Sequence, residues 1–400
     1  MAFPPPAGGR QSERAGLNAV LIGLLLMALG LASVLGCLFM LVAAMFALRS
    51  APPEPALGRH AAVTILKPLH GNEAGLYENL VSFCEQDYPG VVQIVFGVEN
   101  PNDPAIALVE RLRAAYPNKA IELVIEPRAM GSNPKVANLI NMQPRIAHDI
   151  VVLADSDIRV QRDYLSRLIG ALERLGGVVS CPYYGISTAN VWSKLARLTI
   201  DSHFLPGVVV GGRLKLSRPC LGSTIALHRS SLTAIGGFEP LADCLADDYV
   251  LGEMIGERGE PVSMLQFAVG HICGESSFIE LWRHELRWAL TIRTIDPVGY
   301  LGWTMSHAFP LALLAWILGA GWPAAALAVV ALGCRALLIF ATERGYGLPK
   351  HPYWLIPVRD LLSFAVFAAG FVARDVSWRG HHYELMSQGL LRSDRRTRPP

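Results

Sequence analysis

Ile150-Val151-Val152-Leu153-Ala154 is an uncharged run that stops at Asp155-Ser156-Asp157. A run this short and this rich in β-branched residues suits a strand buried on both faces, so the carboxylates that follow fall at its carboxyl end. Val63 to Leu66, Val91 to Val98 and Ile121 to Ile125 are upstream runs of the same kind. Between them Leu76, Leu80 and Phe83, then Ala105 to Tyr116 with Leu108, Val109 and Leu112, keep helical spacing. Strands alternating with helices predict an α/β domain with a mostly parallel sheet and crossover helices. Ligands bind such sheets outside the carboxyl ends of the strands. Val98-Glu99-Asn100-Pro101-Asn102-Asp103 leaves a neighbouring strand and brings Glu99 and Asp103 to the same edge.

This domain is expected over residues 60–297, after a Pro52-Pro53 linker. The rest of the chain is built for lipid. Of the 400 residues 52% are hydrophobic, above the roughly 45–50% of soluble domains. Residues 17–48 carry no charge and are flanked by Arg14 and Arg49, whereas about twenty apolar residues suffice to cross a bilayer. A cleaved leader is the rival reading, but its apolar region is normally about 7 to 15 residues long. Residues 1–16 form an amino-terminal tail. Residues 301–320 and 322–342 are expected as two more transmembrane helices, and 354–373 as a transmembrane or interfacial one, followed by a basic tail over 374–400. The last helix holds Arg359 and Asp360, costly at the bilayer centre but tolerable at an interface or paired with each other. With the domain in the cytoplasm, a full last crossing would put Arg395, Arg396 and Arg398 outside, against the positive-inside tendency.

Net charge is +2 and the basic residues are scattered, so nucleic acid is not suggested as a partner. The seven cysteines, at 37, 84, 181, 220, 244, 273 and 334, show no Cys-x-x-Cys spacing. They read as reduced core thiols, with neither a disulfide framework nor a zinc site.

The acidic clusters suit a nucleoside diphosphate. Expelling a diphosphate from a sugar requires a cation at the leaving oxygen, and Mg²⁺ or Mn²⁺ commonly takes one or two carboxylates while leaving positions for phosphate and water. Asp155 and Asp157 are the candidate metal ligands. Glu99 is the better candidate for nucleotide contact, and Asp103, before Pro104, reads as a helix cap ahead of a donor ligand. Gly131 to Asn138 is a loop opening into a helix, where Lys135 and backbone N–H groups can meet phosphate. Asp247 and Asp248 offer a cap and a base, since transfer with inversion requires a carboxylate to take the acceptor's proton. His284, Arg287 and Trp288 share one face of a helix expected from Ser277 onward. They serve either a diphosphate and sugar or a membrane-surface helix.

The ordered set Ile65-Leu66-Lys67-Pro68-Leu69, Asp87-Tyr88-Pro89, Asn102-Asp103-Pro104-Ala105, Asn133-Pro134-Lys135, Asp155-Ser156-Asp157-Ile158-Arg159-Val160, Asp247-Asp248-Tyr249 and Arg287-Trp288 resembles the ceramide glucosyltransferase-like branch of the GT-A glycosyltransferases, of the family 21 type. Arg359-Asp360 and Ser377-Trp378-Arg379 extend the resemblance to the tail. Within the branch the chain looks most like the bacterial hopanoid-biosynthesis-associated glycosyltransferases.

The resemblance implies a GT-A, Rossmann-like domain flanked by transmembrane helices, in the bacterial inner membrane with its catalytic domain facing the cytoplasm. It implies a UDP-sugar donor, Mg²⁺ or Mn²⁺, and a lipid acceptor, UDP-N-acetylglucosamine and a hopanoid polyol such as bacteriohopanetetrol. Glucose transfer to ceramide is the alternative, and a processive polysaccharide synthase the second. Uridine contact is implied for the Glu99 to Asp103 segment, metal and diphosphate for Asp155 and Asp157, and the base for Asp248. Asp247 and Lys135 fall on the donor side, His203 matches a position associated with the donor site, and Arg287 with Trp288 completes the last motif. The chain departs from the pattern twice. Glu99-Asn100 stands where an aspartate is expected, and His284 stands where Gln or Arg is usual, with Arg283 one place earlier.

Overall fold

The computed structural model describes residues 8–49, 60–188, 190–215, 220–373, 375–378, 381–385 and 391–393. The Pro52-Pro53 linker and Arg395, Arg396 and Arg398 lie outside the described residues. A long helix, α1 (Gly8–Leu48), is followed by β1 (Val63–Pro68), α2 (Leu76–Cys84), β2 (Val92–Val98), α3 (Ala105–Ala115), β3 (Ala120–Ile125), α4 (Pro134–Met142) and β4 (Ile150–Leu153). The chain continues through β5 (Ile158–Arg159), α5 (Tyr164–Leu175), β6 (Val178–Ser180), β7 (Tyr183–Ser187), α6 (Val191–Thr199), α7 (Leu205–Arg213), β8 (Ile225–His228) and α8 (Arg229–Ala234). Then come α9 (Asp247–Glu257), β9 (Val262–Met264), β10 (Val269–Cys273), α10 (Phe278–Ile295), α11 (Pro297–Gly302), α12 (Ala308–Ala315), α13 (Trp322–Tyr346) and α14 (Ile356–Val372). Three short strands, β11 (Asp375–Trp378), β12 (His381–Leu385) and β13 (Leu391–Ser393), pair antiparallel near the carboxyl end.

The main sheet has the order β3-β2-β1-β4-β8-β6-β9. Its first four strands are parallel, with Ile65 opposite Ile94 on one side and Val152 on the other. Strand β8 runs antiparallel between β4 and β6. The predicted mostly parallel sheet is what forms. Ile65, Ile94 and Val152 point to a core with Leu80, Val109 and Leu168 of the helices on one face. Leu66, Val95 and Val151 point to Leu139, Leu251 and Ile255 on the other. Covering both faces removes any need for polar alternation, which is why these strands read as continuous apolar runs. A small second sheet, β5-β10-β7, stands at the carboxyl edge and carries the chain directly after Asp157.

Four helical stretches are long and apolar enough to cross a membrane: Gly16–Leu48, Pro297–Ala320, Trp322–Tyr346 and Tyr353–Val372. The first packs on the second and third through Ala43, Ala44, Ala47, Ala308, Ala312, Ala328 and Ala331. Small side chains let helix backbones approach, the usual basis of association where lipid offers no hydrophobic drive. Arg359 and Asp360 are each 1% exposed. They do not pair with each other: Arg359 grips Glu285 and Asp360 takes Arg335. Each charge is buried against another helix of the protein and not against its neighbour. All seven cysteines are free thiols.

Candidate active site

At the carboxyl edge of β1 and β4 the chain forms a cleft lined by Pro68, Lys135, Asp155, Gly222, Asp247 and Asp248. Asn133 caps α4, accepting from the backbone N–H of Lys135 at 2.9 Å and of Val136 at 3.2 Å. Pro134 occupies the first turn, where its missing N–H costs nothing. This fixes the start of α4 so that Lys135 Nζ reaches Asp155 Oδ1 at 2.8 Å and Asp247 Oδ2 at 3.1 Å. Acidic groups some ninety residues apart in sequence are thereby bridged. Burial opposes charge on Lys135, but the carboxylates of Asp155, Asp247 and Asp248 outweigh it and raise its pKa.

Asp248 lies in the first turn of α9, and its Oδ2 accepts from the Gly222 N–H at 2.6 Å while Oδ1 accepts from its own neighbour, Tyr249 N–H, at 2.8 Å. Burial, with Asp247 alongside, raises its pKa to about 6. A side chain at Gly222 would crowd the site. A Cβ at that position would stand 3.1 Å from both Asp248 Oδ2 and Lys135 Nζ and 3.2 Å from Asp155 Oδ2, so the glycine marks where the three groups converge.

Lys67 is wholly buried under Asp155 and Asp157, donating to the Asp155 carbonyl at 2.7 Å with its ammonium 3.9 Å from the Phe83 ring. Burial lowers its pKa to about 7 against the pull of Asp157, Asp155 and Glu73. Asp157 Oδ2 meets His271 Nε2 at 3.1 Å. Burial works against ionisation of Asp157, yet His271, then His284 and Lys67, bring its pKa down to about 2. Asp155 differs: burial raises its pKa, and Lys135 only partly offsets this.

The two carboxylates fit a divalent cation. Asp157 Oδ1 accepts no hydrogen bond, which leaves its lone pairs uncommitted, and about a third of each side chain is exposed, 34% for Asp155, which lines the cleft, and 36% for Asp157 beside it. Among the described residues no group of three His, Cys, Asp or Glu forms a metal cage. Two carboxylates suit an open site completed by phosphate oxygens and water.

Behind Asp157, His271 stacks on Tyr183 at 5.2 Å between ring centroids, and Tyr183 stacks on Phe204 at 4.4 Å. His284 packs edge-on to Trp288 at 4.4 Å, and its Nδ1 meets Glu275 Oε1 at 2.5 Å. His284 and Trp288 therefore reach the acidic edge through His271, 6.4 and 6.1 Å away between centroids. Arg287 is on the same helix, which begins at Phe278 behind a Ser277 cap.

The remaining candidates lie apart from this convergence. Glu99 is half-buried just past β2. Asp103 accepts from Ala105 N–H at 2.8 Å and Gly71 N–H at 2.9 Å, so its carboxylate pins the β2–α3 turn to the loop after β1. His203 is 2% exposed and faces Asp360 of α14 at 3.5 Å, among the long apolar helices. Sequence reasoning gave no role to Lys67, His271 or Gly222. A lone charge inside the apolar run Val63 to Leu69 was the available signal for Lys67, because lysine is almost never fully buried without a partner.

Three relatives set this geometry in context. The chain is 27% identical over 218 residues to ceramide glucosyltransferase 1 of Caenorhabditis elegans, a match spanning 52% of this chain and 44% of that protein. It is 36% identical over 116 residues to a ceramide glucosyltransferase of Komagataella phaffii, across 28% of this chain and 23% of that protein. The chain thus spans less than half the length of these curated relatives. A solved mannosyltransferase of Pyrobaculum calidifontis in complex with GDP-Man and Mn²⁺ superposes over 88% of this chain and 99% of its own, with a TM-score of 0.50 at 21% identity. That likeness establishes a GT-A-like glycosyltransferase fold. Residues 25–391 match glycosyl transferase family 21, and the chain belongs to that family.

Proposed function

We propose that the protein is an inverting, divalent-cation-dependent transferase that moves one sugar from a UDP-sugar to a hydroxyl of a membrane lipid. The observation that carries this reading is the convergence of Asp155, Lys135 and Asp248 on Gly222 in a domain packed on membrane helices. Asp155 and Asp157 would hold Mg²⁺ or Mn²⁺, which supplies positive charge to the departing diphosphate. Lys135 and Arg287 bring fixed cations to the donor, Glu99 and Asp103 belong to its nucleotide end, and Asp247 keeps Lys135 aimed.

Asp248 takes the proton of the acceptor hydroxyl as that oxygen bonds to the anomeric carbon. The carbon–oxygen bond to the diphosphate breaks on the opposite face, and UDP leaves with the electron pair. A carboxylate whose pKa is raised to about 6 is ionised at neutral pH yet basic enough for the task. Trp288 and His284 form the aromatic wall behind Asp157. His203 is assigned to the donor side by the motif resemblance alone.

Two acceptors follow from different observations. The motif set resembles the hopanoid-associated branch, which points to UDP-N-acetylglucosamine and a hopanoid polyol. The names of the curated relatives point to UDP-glucose and ceramide. Cytoplasmic supply of UDP-sugars supports a domain facing the cytoplasm, and the hopanoid resemblance supports a bacterial inner membrane. The deciding experiment is mass spectrometry of lipids after incubating membranes containing the protein with either UDP-sugar and either lipid. One N-acetylhexosamine on the hopanoid supports the first acceptor, one hexose on ceramide the second, and a long polymer would replace both with a processive synthase.

A further inference from the structure

We propose that Arg359, on membrane helix α14, is a positioning residue that sets the helix carrying His284, Arg287 and Trp288. Its guanidinium forks onto Glu285, Nη1 to Oε1 and Nη2 to Oε2, both at 2.7 Å. Nε donates to Ser363 Oγ at 3.1 Å, and Nη1 also reaches the Leu195 carbonyl at 3.4 Å. Glu285 Oε1 accepts a further bond from Thr199 Oγ1 at 2.8 Å. One buried pair therefore ties α14, α6 and α10 together.

Glu285 follows His284 directly and precedes Arg287 by two. On α10 the buried residues Leu281, Glu285 and Ala289 form the back, while His284 and Trp288 turn toward His271 and the acidic edge. Rotation or sliding of α10 would move the front residues with the back. A bidentate fork fixes both position and rotation, which a lysine or an apolar contact does not.

The chemistry also says what the pair is for. Removing two charges from water in an apolar surround costs more than their attraction commonly returns, so well-packed apolar residues serve stability as well or better. What the pair supplies is a single geometry. Asp360, the next residue, is committed separately to Arg335, whose Nη1 donates to the Ser202 carbonyl at 2.6 Å. Adjacent residues of one membrane helix thus grip α10 and the turn that carries Phe204, both of which bear on the aromatic wall beside Asp157.

This inference rests on the proposed transfer reaction only for its kinetic test. Full-length protein in lipid nanodiscs would be compared as wild type, Arg359→Lys, Arg287→Ala and the double variant. Arg359→Lys keeps a cation opposite Glu285 and loses the fork. Expected is a fall in kcat/KM of about tenfold or more from misplacement of reacting groups, shrinking to less than about twofold in the Arg287→Ala background, because contacts that act through one another do not add. Equal losses in both backgrounds, or none, would overturn the proposal. Amide hydrogen exchange over residues 284–290 needs no turnover: faster exchange there in Arg359→Lys, with residues 150–157 unchanged, supports the clamp, and unchanged exchange refutes it. A wild type that transfers no sugar defeats the reaction, and the exchange arm still decides the clamp. Thr199→Val, which removes the second bond to Glu285 together with a contact to the Leu195 carbonyl within α6, carries the same measurements if Arg359→Lys does not fold.

Discussion

His271 Nε2 lies 3.1 Å from Asp157 Oδ2, and this contact decides how the second carboxylate of Asp155-Ser156-Asp157 is aimed. Strand β10 puts His271 opposite Ile158 of β5, so the imidazole is set beside Asp157 by sheet register. Outer partners of metal-binding carboxylates typically change metal affinity about 10- to 100-fold when removed. His271→Ala is expected to weaken Mn²⁺-dependent UDP binding by that order. Calorimetric titration of UDP with and without Mn²⁺ tests it, and equal affinities for variant and wild type would remove His271 from the site.

Asp155→Ala and Asp157→Ala should each weaken UDP binding only when the cation is present, and EDTA should bring wild type to the same level. Binding unaffected in both variants would dismiss the cation assignment.

Asp248→Asn is expected to lose transfer by about 10²- to 10⁴-fold, the usual range for a missing general base. Donor affinity should stay close to wild type, because the base acts on the acceptor's proton. Comparable losses in rate and in UDP affinity would make Asp248 a donor ligand instead.

The same carboxylate predicts the acid limb of the pH profile. Burial and Asp247 raise its pKa to about 6, and only the ionised form accepts a proton. Activity should be full above that value, and kcat/KM should fall with unit slope as pH drops through it. A limb near the ordinary carboxylate value of roughly 4 would mean that Asp248 is not the titrating base.

Lys67→Met should fold, since burial already disfavours the ammonium and methionine fills similar space. It loses the 2.7 Å bond to the Asp155 carbonyl, and the part of that loss of about 1 kcal/mol that reaches the donor through a loosened Asp155 is at most roughly fivefold in affinity. A thermal midpoint near wild type with weaker UDP binding is the expected pair of results. A variant with unchanged binding would leave Lys67 a purely structural residue.

Much of this was legible along the chain because it is local. The strand runs read as apolar because both sheet faces are covered, and alternation with helices dictated a parallel sheet with its acids at one edge. Apolar stretches of about twenty residues or more announced helices long enough to cross a bilayer. Asn133-Pro134 is a helix start by backbone chemistry alone.

Pairings between distant segments were not legible, because side-chain contact depends on register and on packing across elements. Nothing near Lys135 in sequence says that it bridges Asp155 and Asp247. Nothing near His271 says that β10 sets it against Asp157. Asp103 and Asp155 are both acids at strand ends, yet backbone N–H groups occupy the first and the cleft opens on the second. Arg359 and Asp360, adjacent and of opposite charge, invite a pairing that side-chain direction on a helix forbids, and the fold gives each a different buried partner. The sequence determined the sheet, the long apolar helices and the acidic edge through local apolar patterning. Only the tertiary structure decided which charges meet, because burial requires each charge to find a partner wherever the packed elements place one.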